Sequence, residues 1–153
     1  MKYSIEQGSI SGYSFKNDTL NANFHFLLQA NNPNSGFAIY YKGVNVSVSY
    51  EGTTLSDNST VPTFHQPSRN ITHVGFDLVA KDVRINRTVA GDLNAEFESG
   101  DIALDLRLWS RMMMEFGGFR IHRGLTVHCK GLKVPFSSSK VFEKVHCRKH
   151  VFD

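Results

Sequence analysis

The feature that most constrains the fold of this 153-residue chain is a two-residue alternation of apolar and polar side chains. Residues 20–30 show it almost without interruption, and residues 44–50, 74–80 and 102–108 repeat it. Successive side chains of a β-strand point to opposite faces of a sheet. The period therefore predicts strands that have one buried face and one solvated face.

Shorter apolar runs complete the set of predicted strands, and they lie at residues 3–5, 37–41 and 125–136. Segments rich in Asn, Gly, Pro and Ser predict turns. The predicted turns are at 31–36, 52, 56–58, 67–70, 117–118 and 137–139. Only residues 88–98 have a composition that predicts a short helix. Many short strands at this spacing are typical of one all-β domain, a sandwich or a barrel, over residues 1–153.

Five Asn-x-Ser/Thr triplets without Pro lie in the first ninety residues, at Asn17, Asn45, Asn58, Asn70 and Asn86. Chance would give about one or two at this composition. Such triplets are modified only in the secretory lumen, so the set predicts N-glycosylation and an extracellular chain. Asn45 falls on the polar side of its strand, Asn58 and Asn70 fall in predicted turns, and Asn86 just past a strand. The alternative is that ordinary turn residues form these triplets by accident.

The start of the chain carries no signal for secretion. Residues 1–8 contain no apolar core of signal-peptide length, and no other segment approaches the length of a membrane span. A glycosylated chain that begins in this way requires a targeting segment before Met1. We therefore expect an ectodomain whose membrane anchor lies upstream of this chain.

Charge is distributed unevenly along the sequence, although the formal net charge is only +3. Residues 1–100 contain seven Lys/Arg and nine Asp/Glu, whereas residues 101–153 contain ten and five. A basic third of this kind favours contact with anionic lipid headgroups or an acidic polysaccharide. The alternative is that these charges are spread over solvated strand faces. The predicted interaction face is formed by Arg107, Arg111, Arg120, Arg123, Lys130 and Lys133.

Two similar tetrapeptides contain the only cysteines, Cys129 in Val-His-Cys-Lys and Cys147 in Val-His-Cys-Arg. A hairpin folded about Ser138 would set the two cysteines opposite each other on its core side, and the two histidines on its outer side. This geometry favours a cross-strand disulfide, and two reduced core thiols remain an alternative. A zinc site is a third option, but neighbouring Cys and His side chains on a strand point to opposite faces.

No catalytic template is present, since the chain lacks G-x-S-x-G, Walker, dinucleotide-binding and H-E-x-x-H motifs. The acidic residues Asp77 and Asp105 sit singly on predicted polar strand faces. We therefore expect a non-enzymatic protein without a cofactor or a metal. Trp109 and Phe119 near the basic residues loosely resemble a base-stacking groove. A glycosylated surface has no obvious nucleic-acid partner, so none is expected.

An ordered series of short motifs resembles a known family. It consists of Asn31-Asn32-Pro33-Asn34, then Ile39-Tyr40-Tyr41, Tyr50-Glu51-Gly52, Pro62-Thr63-Phe64-His65-Gln66 and the closing Val127-His128-Cys129. The order and spacing are similar to those of the plant late embryogenesis abundant group 2 domain, in its harpin-induced-like, non-race-specific disease-resistance branch. The resemblance spans roughly residues 9–147. Asn-Pro-Asn itself predicts a corner of the chain, because Pro33 fixes its own φ and keeps Asn32 extended.

The resemblance implies a single immunoglobulin- or fibronectin-III-like β-sandwich on the outer, apoplastic face of the plasma membrane, held by an upstream helix. It also implies a role in defence, including the hypersensitive response, and in stress. No catalytic residues are described for this family. Expected partners are membrane or cell-wall proteins and polysaccharides, or further copies of the chain through a strand edge. The alternatives are a soluble intracellular stress-protective protein of the same fold, and a small-molecule or lipid carrier with a cleft between the sheets near Met112–Met114.

Overall fold

The computed structural model describes residues 1–136 and 140–153, apart from the side chains of residues 57 and 58. Within this part of the chain, ten strands and one helix alternate with short turns. In chain order they are β1 (Lys2–Lys16), β2 (Thr19–Asn32), β3 (Ala38–Tyr50), β4 (Thr53–Val61), β5 (Phe64–Gln66), β6 (Asn70–Arg84), α1 (Arg87–Ser99), β7 (Asp101–Phe116), β8 (Phe119–Pro135), β9 (Val145–His146) and β10 (Arg148–Phe152).

The strands form two antiparallel sheets that share one core. The four-stranded sheet has the order β6-β2-β1-β9. The six-stranded sheet has the order β10-β8-β7-β3-β4, and β5 pairs with the first part of β3. The predicted all-β sandwich is confirmed, and its two outer faces are the surfaces on which a site can lie.

The alternating runs form the core as predicted. Every second residue of the run at 20–30 on β2, from Leu20 to Ala30, is at most 5% exposed, and the matching positions of the run at 102–108 on β7 are buried equally well. Helix α1 adds Leu93, which is completely buried. Because these inner positions are filled by the alternation itself, the residues between them are forced outward, and polar side chains cover both outer faces.

Two-residue turns join the long hairpins. Asn17 and Asp18 connect β1 to β2 with φ of 53° and 61°, and Glu51 and Gly52 connect β3 to β4 with φ of 46° and 80°. Positive φ at both positions is the backbone that matches the twist of a hairpin. The turn predicted at residue 52 is confirmed. The turn predicted at residues 56–58 is wrong, because the backbone there continues β4.

The helix predicted at residues 88–98 is confirmed as α1. Asn86 caps its start, since the side-chain oxygen accepts a hydrogen bond of 2.9 Å from the backbone N–H of Val89. Gly100 ends it at φ 103°, a backbone conformation that glycine adopts without strain. Both ends of the helix are therefore specified by single residues next to it.

A disulfide joins Cys129 to Cys147, with 4.4 Å between the two Cα atoms. The predicted bridge is present, and it uses the two thiols that the alternatives would have left reduced or bound to zinc. Arg148 pairs with His128, which is the register expected for a fold about residue 138. Ser138 itself lies outside the described residues.

The rest of the predicted hairpin is wrong. Val145 and His146 form β9, and they pair with Ile5 and Ser4 of β1 in the opposite sheet. The two Val-His-Cys histidines therefore lie on different sheets. Only residues beyond Cys147 pair with β8, so the disulfide sits where the chain passes from one sheet to the other, and it holds the last strand in place.

Candidate interaction face

A straight row of exposed side chains follows the middle of the six-stranded sheet. On β7, Arg107, Trp109 and Arg111 alternate with buried residues and point outward. Two-residue steps along a strand place such side chains about 7 Å apart. Trp109, the one tryptophan of the chain, is 37% exposed and lies between the two guanidinium groups.

Cross-strand pairing places further cations beside this row. Lys42 of β3 lies opposite Arg111, and His128 of β8 lies opposite Arg107. Residues directly opposite in an antiparallel pair have Cβ atoms about 4.5–5.5 Å apart and share a face. Arg148 of β10 lies on the far side of His128. The surface formed by Lys42, Arg107, Trp109, Arg111, His128 and Arg148 is called the basic face below.

The positive charge of the basic face is not neutralised by the described residues around it. Each ion pair in this part of the chain joins residues outside the basic face. The carboxylate of Asp105, on the same side of β7, accepts a hydrogen bond of 3.0 Å from the backbone N–H of Gly131. Burial lowers the pKa of His128, and the charges of Arg107 and Lys130 lower it further. The imidazole therefore senses a positive potential.

A cleft of about 450 Å³ opens on this surface. Lys42, Trp109 and Arg111 line one part of it, and Phe152 of β10 lines another, together with the ion-paired Arg123 and Asp153. Phe152 lies so close to β8 that a Cβ on Gly124 would be 2.4 Å from its ring. Glycine at this position thus lets an aromatic ring rest on the sheet, and the cleft gains a second aromatic wall.

Five of the six residues predicted to form an interaction surface are placed on the outer side of the six-stranded sheet. They are Arg107, Arg111, Arg120, Lys130 and Lys133. Arg120 and Lys133 lie towards opposite ends of β8, away from Trp109. Arg123 is the sixth, and it lines the cleft together with Arg111. It pairs with the buried Met112, and its Nε lies 3.1 Å from the carboxylate of Asp153.

Sequence reasoning missed three members of the basic face, namely Lys42, His128 and Arg148. The polar positions of β3 contain Lys42, but only the pairing of β3 with β7 brings it to Arg111. Arg148 could have been found, because the register that sets Cys129 opposite Cys147 also sets Arg148 opposite His128. The cysteine spacing was the available signal.

The asparagines of the acceptor triplets lie in different environments. Asn17 and Asn86 are exposed, and they lie near each other because Ile85 N–H bonds to the carbonyl of Asp18. Asn70 is half-buried at the start of β6, where its side-chain oxygen accepts a hydrogen bond of 2.6 Å from Thr72. The side chain of Asn58 lies outside the part of the molecule that the structure describes, and its backbone lies in β4 rather than in the predicted turn.

Asn45 has a position with consequences for the basic face. It is exposed on β3 and lies directly opposite Trp109 of β7. A glycan attached at Asn45 would start about 5 Å from the tryptophan. Glycosylation at this triplet and binding at Trp109 therefore compete for the same space.

The short motifs of the middle of the chain build the interior rather than a site. Gln66 is completely buried and donates hydrogen bonds of 2.7 and 3.0 Å to the carbonyls of Ala30 and Asn70. Its oxygen accepts a bond from the hydroxyl of Tyr41, which in turn contacts Tyr3 at 2.8 Å. Burial raises the pKa of Tyr41 to about 12. This chain of bonds ties the two sheets together.

The predicted corner is tied down in the same way. Asn32 is completely buried and donates hydrogen bonds of 3.0 and 3.2 Å to the carbonyls of Phe37 and Pro67. Its oxygen accepts bonds from the backbone and the side chain of Asn34. The Asn-Pro-Asn segment is therefore a structural corner, as its residue types predicted.

A Ser-His-Asp cluster lies on the outer face of the four-stranded sheet. Ser11 Oγ is 3.1 Å from His25 Nε2, and His25 Nδ1 is 2.5 Å from the carboxylate of Asp77. The order resembles a hydrolase triad, and no motif in the sequence announced it. The side chains of His25 and Asp77 are 45% and 70% exposed. Such open positions leave the cluster in water, without the enclosed site that acyl transfer uses.

At the edge where β1 meets the end of β8, a cleft of about 570 Å³ is lined by Ile10, Phe26 and Phe136, whereas the space deeper between the sheets is small. A cavity beside Tyr3, Tyr41 and Phe64 measures about 20 Å³, which is the volume of about one water probe.

Of the described helices, none has the length and apolarity to cross a bilayer. Nor do three or more His, Cys, Asp or Glu side chains of the described residues cluster in a way that could hold a metal ion.

Comparison with known proteins gives a family match and two relatives. The model of the family described as late embryogenesis abundant protein matches residues 27–131. The uncharacterized protein At1g08160 of Arabidopsis thaliana is 25% identical over 95% of this chain and 68% of its own length. NDR1/HIN1-like protein 3 of the same plant is 24% identical over 96% of this chain and 66% of its own length. The chain thus spans about two thirds of each relative.

Two solved structures have a distant likeness to the chain. The crystal structure of a protein from Archaeoglobus fulgidus covers 97% of this chain and 95% of its own, at 14% identity and a TM-score of 0.36. The solution structure of AT1g01470 from Arabidopsis thaliana covers 90% and 84%, at 12% identity and the same TM-score. Neither superposition is close enough to inform the site.

Proposed function

We propose that this chain, which belongs to the late embryogenesis abundant protein family, is a non-enzymatic domain that works by binding and takes part in stress or defence. It acts at the apoplastic face of a plant plasma membrane, held by a helix outside this chain. Its partner is an anionic component of the membrane or the cell wall, and the basic face is the surface that binds it.

The observation that carries this proposal is the unneutralised charge of the basic face. Lys42, Arg107, Arg111 and Arg148 surround Trp109 on a regular sheet, where their positions are fixed by backbone pairing. Exposed cations that form no ion pair among the described residues attract an anionic partner over about one Debye length, roughly 8–10 Å at physiological ionic strength. The tryptophan adds a rigid apolar platform that purely electrostatic attraction would not need.

The extracellular placement is supported by the acceptor triplets and by the disulfide. Asn17, Asn45 and Asn86 are exposed, so a glycan attached at any of them can project into solvent. The Cys129–Cys147 bridge fits an oxidising compartment. The similarity to NDR1/HIN1-like protein 3 favours a membrane-associated plant protein.

Family members are generally non-enzymatic, and the exposed Ser11–His25–Asp77 cluster is the arrangement that tests whether this one is too. A fluorophosphonate probe reacts with serines that an adjacent base activates. We expect no labelling of Ser11 under conditions that label a serine hydrolase completely. Labelling that disappears in Ser11→Ala and in His25→Ala would contradict a purely binding role.

The binding role is tested by sedimentation of the secreted chain with washed plant cell-wall fragments and with plasma-membrane vesicles. The test variant is Arg107→Glu/Arg111→Glu. The matched control is Lys81→Glu/Arg84→Glu, which makes the same charge change at exposed positions of the four-stranded sheet. We expect the wild type and the control to sediment with one of the two fractions and the test variant to remain soluble. Equal behaviour of all three proteins would contradict the proposal.

A further inference from the structure

We propose that the cleft between Trp109 and Phe152 binds the sugar rings of an acidic polysaccharide whose repeating units carry carboxylates. This inference rests on the proposed function, since it names the partner that the basic face takes. The cleft measures about 450 Å³, within the range of about 300–1,000 Å³ that ligand sites occupy.

The two aromatic walls supply the part of the site that recognises a ring. The face of an indole carries negative electrostatic potential, and the C–H bonds on one side of a sugar ring present a weakly positive, apolar surface. A sugar ring can therefore stack on Trp109 and form a more favourable contact with the indole than water does. Phe152 is held close to the sheet by the absence of a side chain on Gly124, so the cleft keeps a second ring in a fixed place.

The cations supply the part of the site that recognises the carboxylates. Arg107 and Arg111 flank Trp109 at about 7 Å on either side along β7. Lys42 lies opposite Arg111. Guanidinium groups form strong, often bidentate hydrogen bonds to carboxylates. A linear polymer that stacks one ring on Trp109 would thus bring the acid groups of neighbouring units to cations on both sides.

The position of the cleft favours a polymer chain over a lipid surface. A bilayer would take up the apolar tip at Phe119, which is 76% exposed beside the β7–β8 turn, whereas the cations and Trp109 lie in the middle of the sheet face, away from that tip. An acidic peptide would satisfy the cations and leave the aromatic walls without a ring. A chain of uronate units uses both features, and it can run along β7 in the direction of the cation row.

The position of Asn45 supplies a condition for this site. Because Asn45 faces Trp109 across one strand pair, a glycan at that asparagine would occupy the platform that an external sugar needs. The binding experiment therefore uses Asn45→Gln protein, in which that position cannot be glycosylated. Its comparison with the glycosylated chain measures how far the attached glycan closes the cleft.

Intrinsic fluorescence gives the most direct test, because Trp109 is the one tryptophan and reports on the cleft without a label. The probes are a short oligogalacturonate, its methyl ester, which keeps the rings without the charge, and polyglutamate, which keeps the charge without the rings. We expect oligogalacturonate alone to change the emission and to bind with saturation. Trp109→Phe should retain most of the affinity, whereas Trp109→Ala should lose about tenfold, measured by calorimetry.

Two variants separate loss of the site from loss of folding. Gly124→Ala forces Phe152 off the sheet, and we expect it to weaken oligogalacturonate binding several-fold while leaving polyglutamate unaffected. Lys81→Ala, on the other sheet, should change neither. Thermal unfolding of each variant shows whether the fold is intact, since Trp109 and Gly124 lie outside the core interior.

The outcomes distinguish this inference from the proposed function. Polyglutamate that binds as tightly as oligogalacturonate, with Trp109→Ala unchanged, would overturn the sugar site and leave an anion-binding face. Binding to anionic phospholipid vesicles alone, lost in Arg107→Glu/Arg111→Glu, would also overturn it and leave the proposed function standing. Failure of all three anionic partners to bind would remove both.

Discussion

The two outer faces of this sandwich are both polar, but they handle charge in opposite ways. On the four-stranded sheet, His25 is bonded to Asp77 and Lys144 lies 3.1 Å from Glu6, so charged groups meet partners within the face. On the six-stranded sheet, Arg107 and Arg111 stand on either side of Trp109 without such partners among the described residues. A cleft borders each face, and the one on the six-stranded sheet is distinguished by Trp109 with Lys42 and Arg111 beside it.

The alternation of apolar and polar side chains therefore specifies which residues form an outer face, but it does not specify the chemistry of that face. Both faces arise from the same two-residue period. The strand order decides which polar residues become neighbours, and it does so across residues far apart in sequence, such as Lys42 and Arg111.

Removing the disulfide should have the largest effect and should act on one face. The Cys129→Ala/Cys147→Ala variant loses a bridge across a separation of 18 residues, and we expect about 3 kcal/mol less free energy of unfolding in the chain-entropy model. Because the bridge holds β10 against β8, Arg148 should also leave the basic face and binding should weaken. Denaturant unfolding and calorimetry measure both effects. An unchanged unfolding free energy would contradict this role of the bridge.

Breaking the buried hydrogen bonds of Gln66 and Tyr41 should lower the free energy of unfolding without changing the binding surface on either outer face. Gln66→Leu leaves the carbonyls of Ala30 and Asn70 and the hydroxyl of Tyr41 without their partner. We expect a loss of about 1–3 kcal/mol. Tyr41→Phe, which removes one hydroxyl, should cost less. A variant that stays folded should bind as the wild type does, and an altered affinity would show that the network reaches the basic face.

The cap of α1 should contribute a smaller amount, and the triplet there allows a clean separation of cap from glycan. Asn86→Ala removes the side-chain oxygen that bonds Val89, and we expect about 1 kcal/mol of lost stability. Thr88→Ala destroys the acceptor triplet and leaves the cap in place, so non-glycosylated protein should keep its stability. Equal losses in both variants, measured on protein from a bacterial host, would argue against the cap.

The pH dependence of binding should be the smallest effect, about a few-fold. Burial and the charges of Arg107 and Lys130 hold the pKa of His128 below its ordinary value. In the protein without a bound partner, His128 is therefore protonated only at a lower pH than an ordinary histidine. The unfolded chain takes up that proton first as pH falls, and stability should therefore decrease on acidification through the ordinary histidine range. An anionic partner favours the protonated form, so binding should tighten over the same range.

The variant His128→Gln isolates this contribution. It should bind with a flatter pH profile, because Arg107, Lys130 and Arg148 around it keep their charge throughout the range. His73 is exposed on the four-stranded sheet, away from the cleft, and His73→Gln serves as the matched control. A profile that flattens only in the control would assign the effect to the wrong imidazole.

The sequence was sufficient for the parts of the fold where burial and local period agree. The runs on β2 and β7 and the helix could all be predicted, although Asn86 was interpreted as a glycan acceptor just past a strand and not as a helix cap. The second half of β1 could not, because Gly8 and its neighbours look like a loop. In the structure, a Cβ at Gly8 would lie 3.0 Å from Phe142 and 3.1 Å from Phe26, so glycine is needed for close packing and not for a turn.

β4 was missed for a related reason. It forms an edge of the six-stranded sheet, where Thr and Ser can occupy a strand without breaking the apolar period of a core strand. The basic face was predictable only in part, since alternation shows that Arg107 and Arg111 point outward. Which residues lie beside them depends on strand pairing, and this non-local information is absent from any window of sequence.

The most direct test of the contrast between the two faces is a nuclear magnetic resonance titration of ¹⁵N-labelled Asn45→Gln protein with oligogalacturonate. We expect saturable chemical-shift changes at the Trp109 indole and at the amides of Lys42, Arg111 and Gly124. The shifts of Ser11, His25 and Asp77 should stay unchanged. Shifts centred on the four-stranded sheet, or spread evenly over both faces, would contradict this expectation.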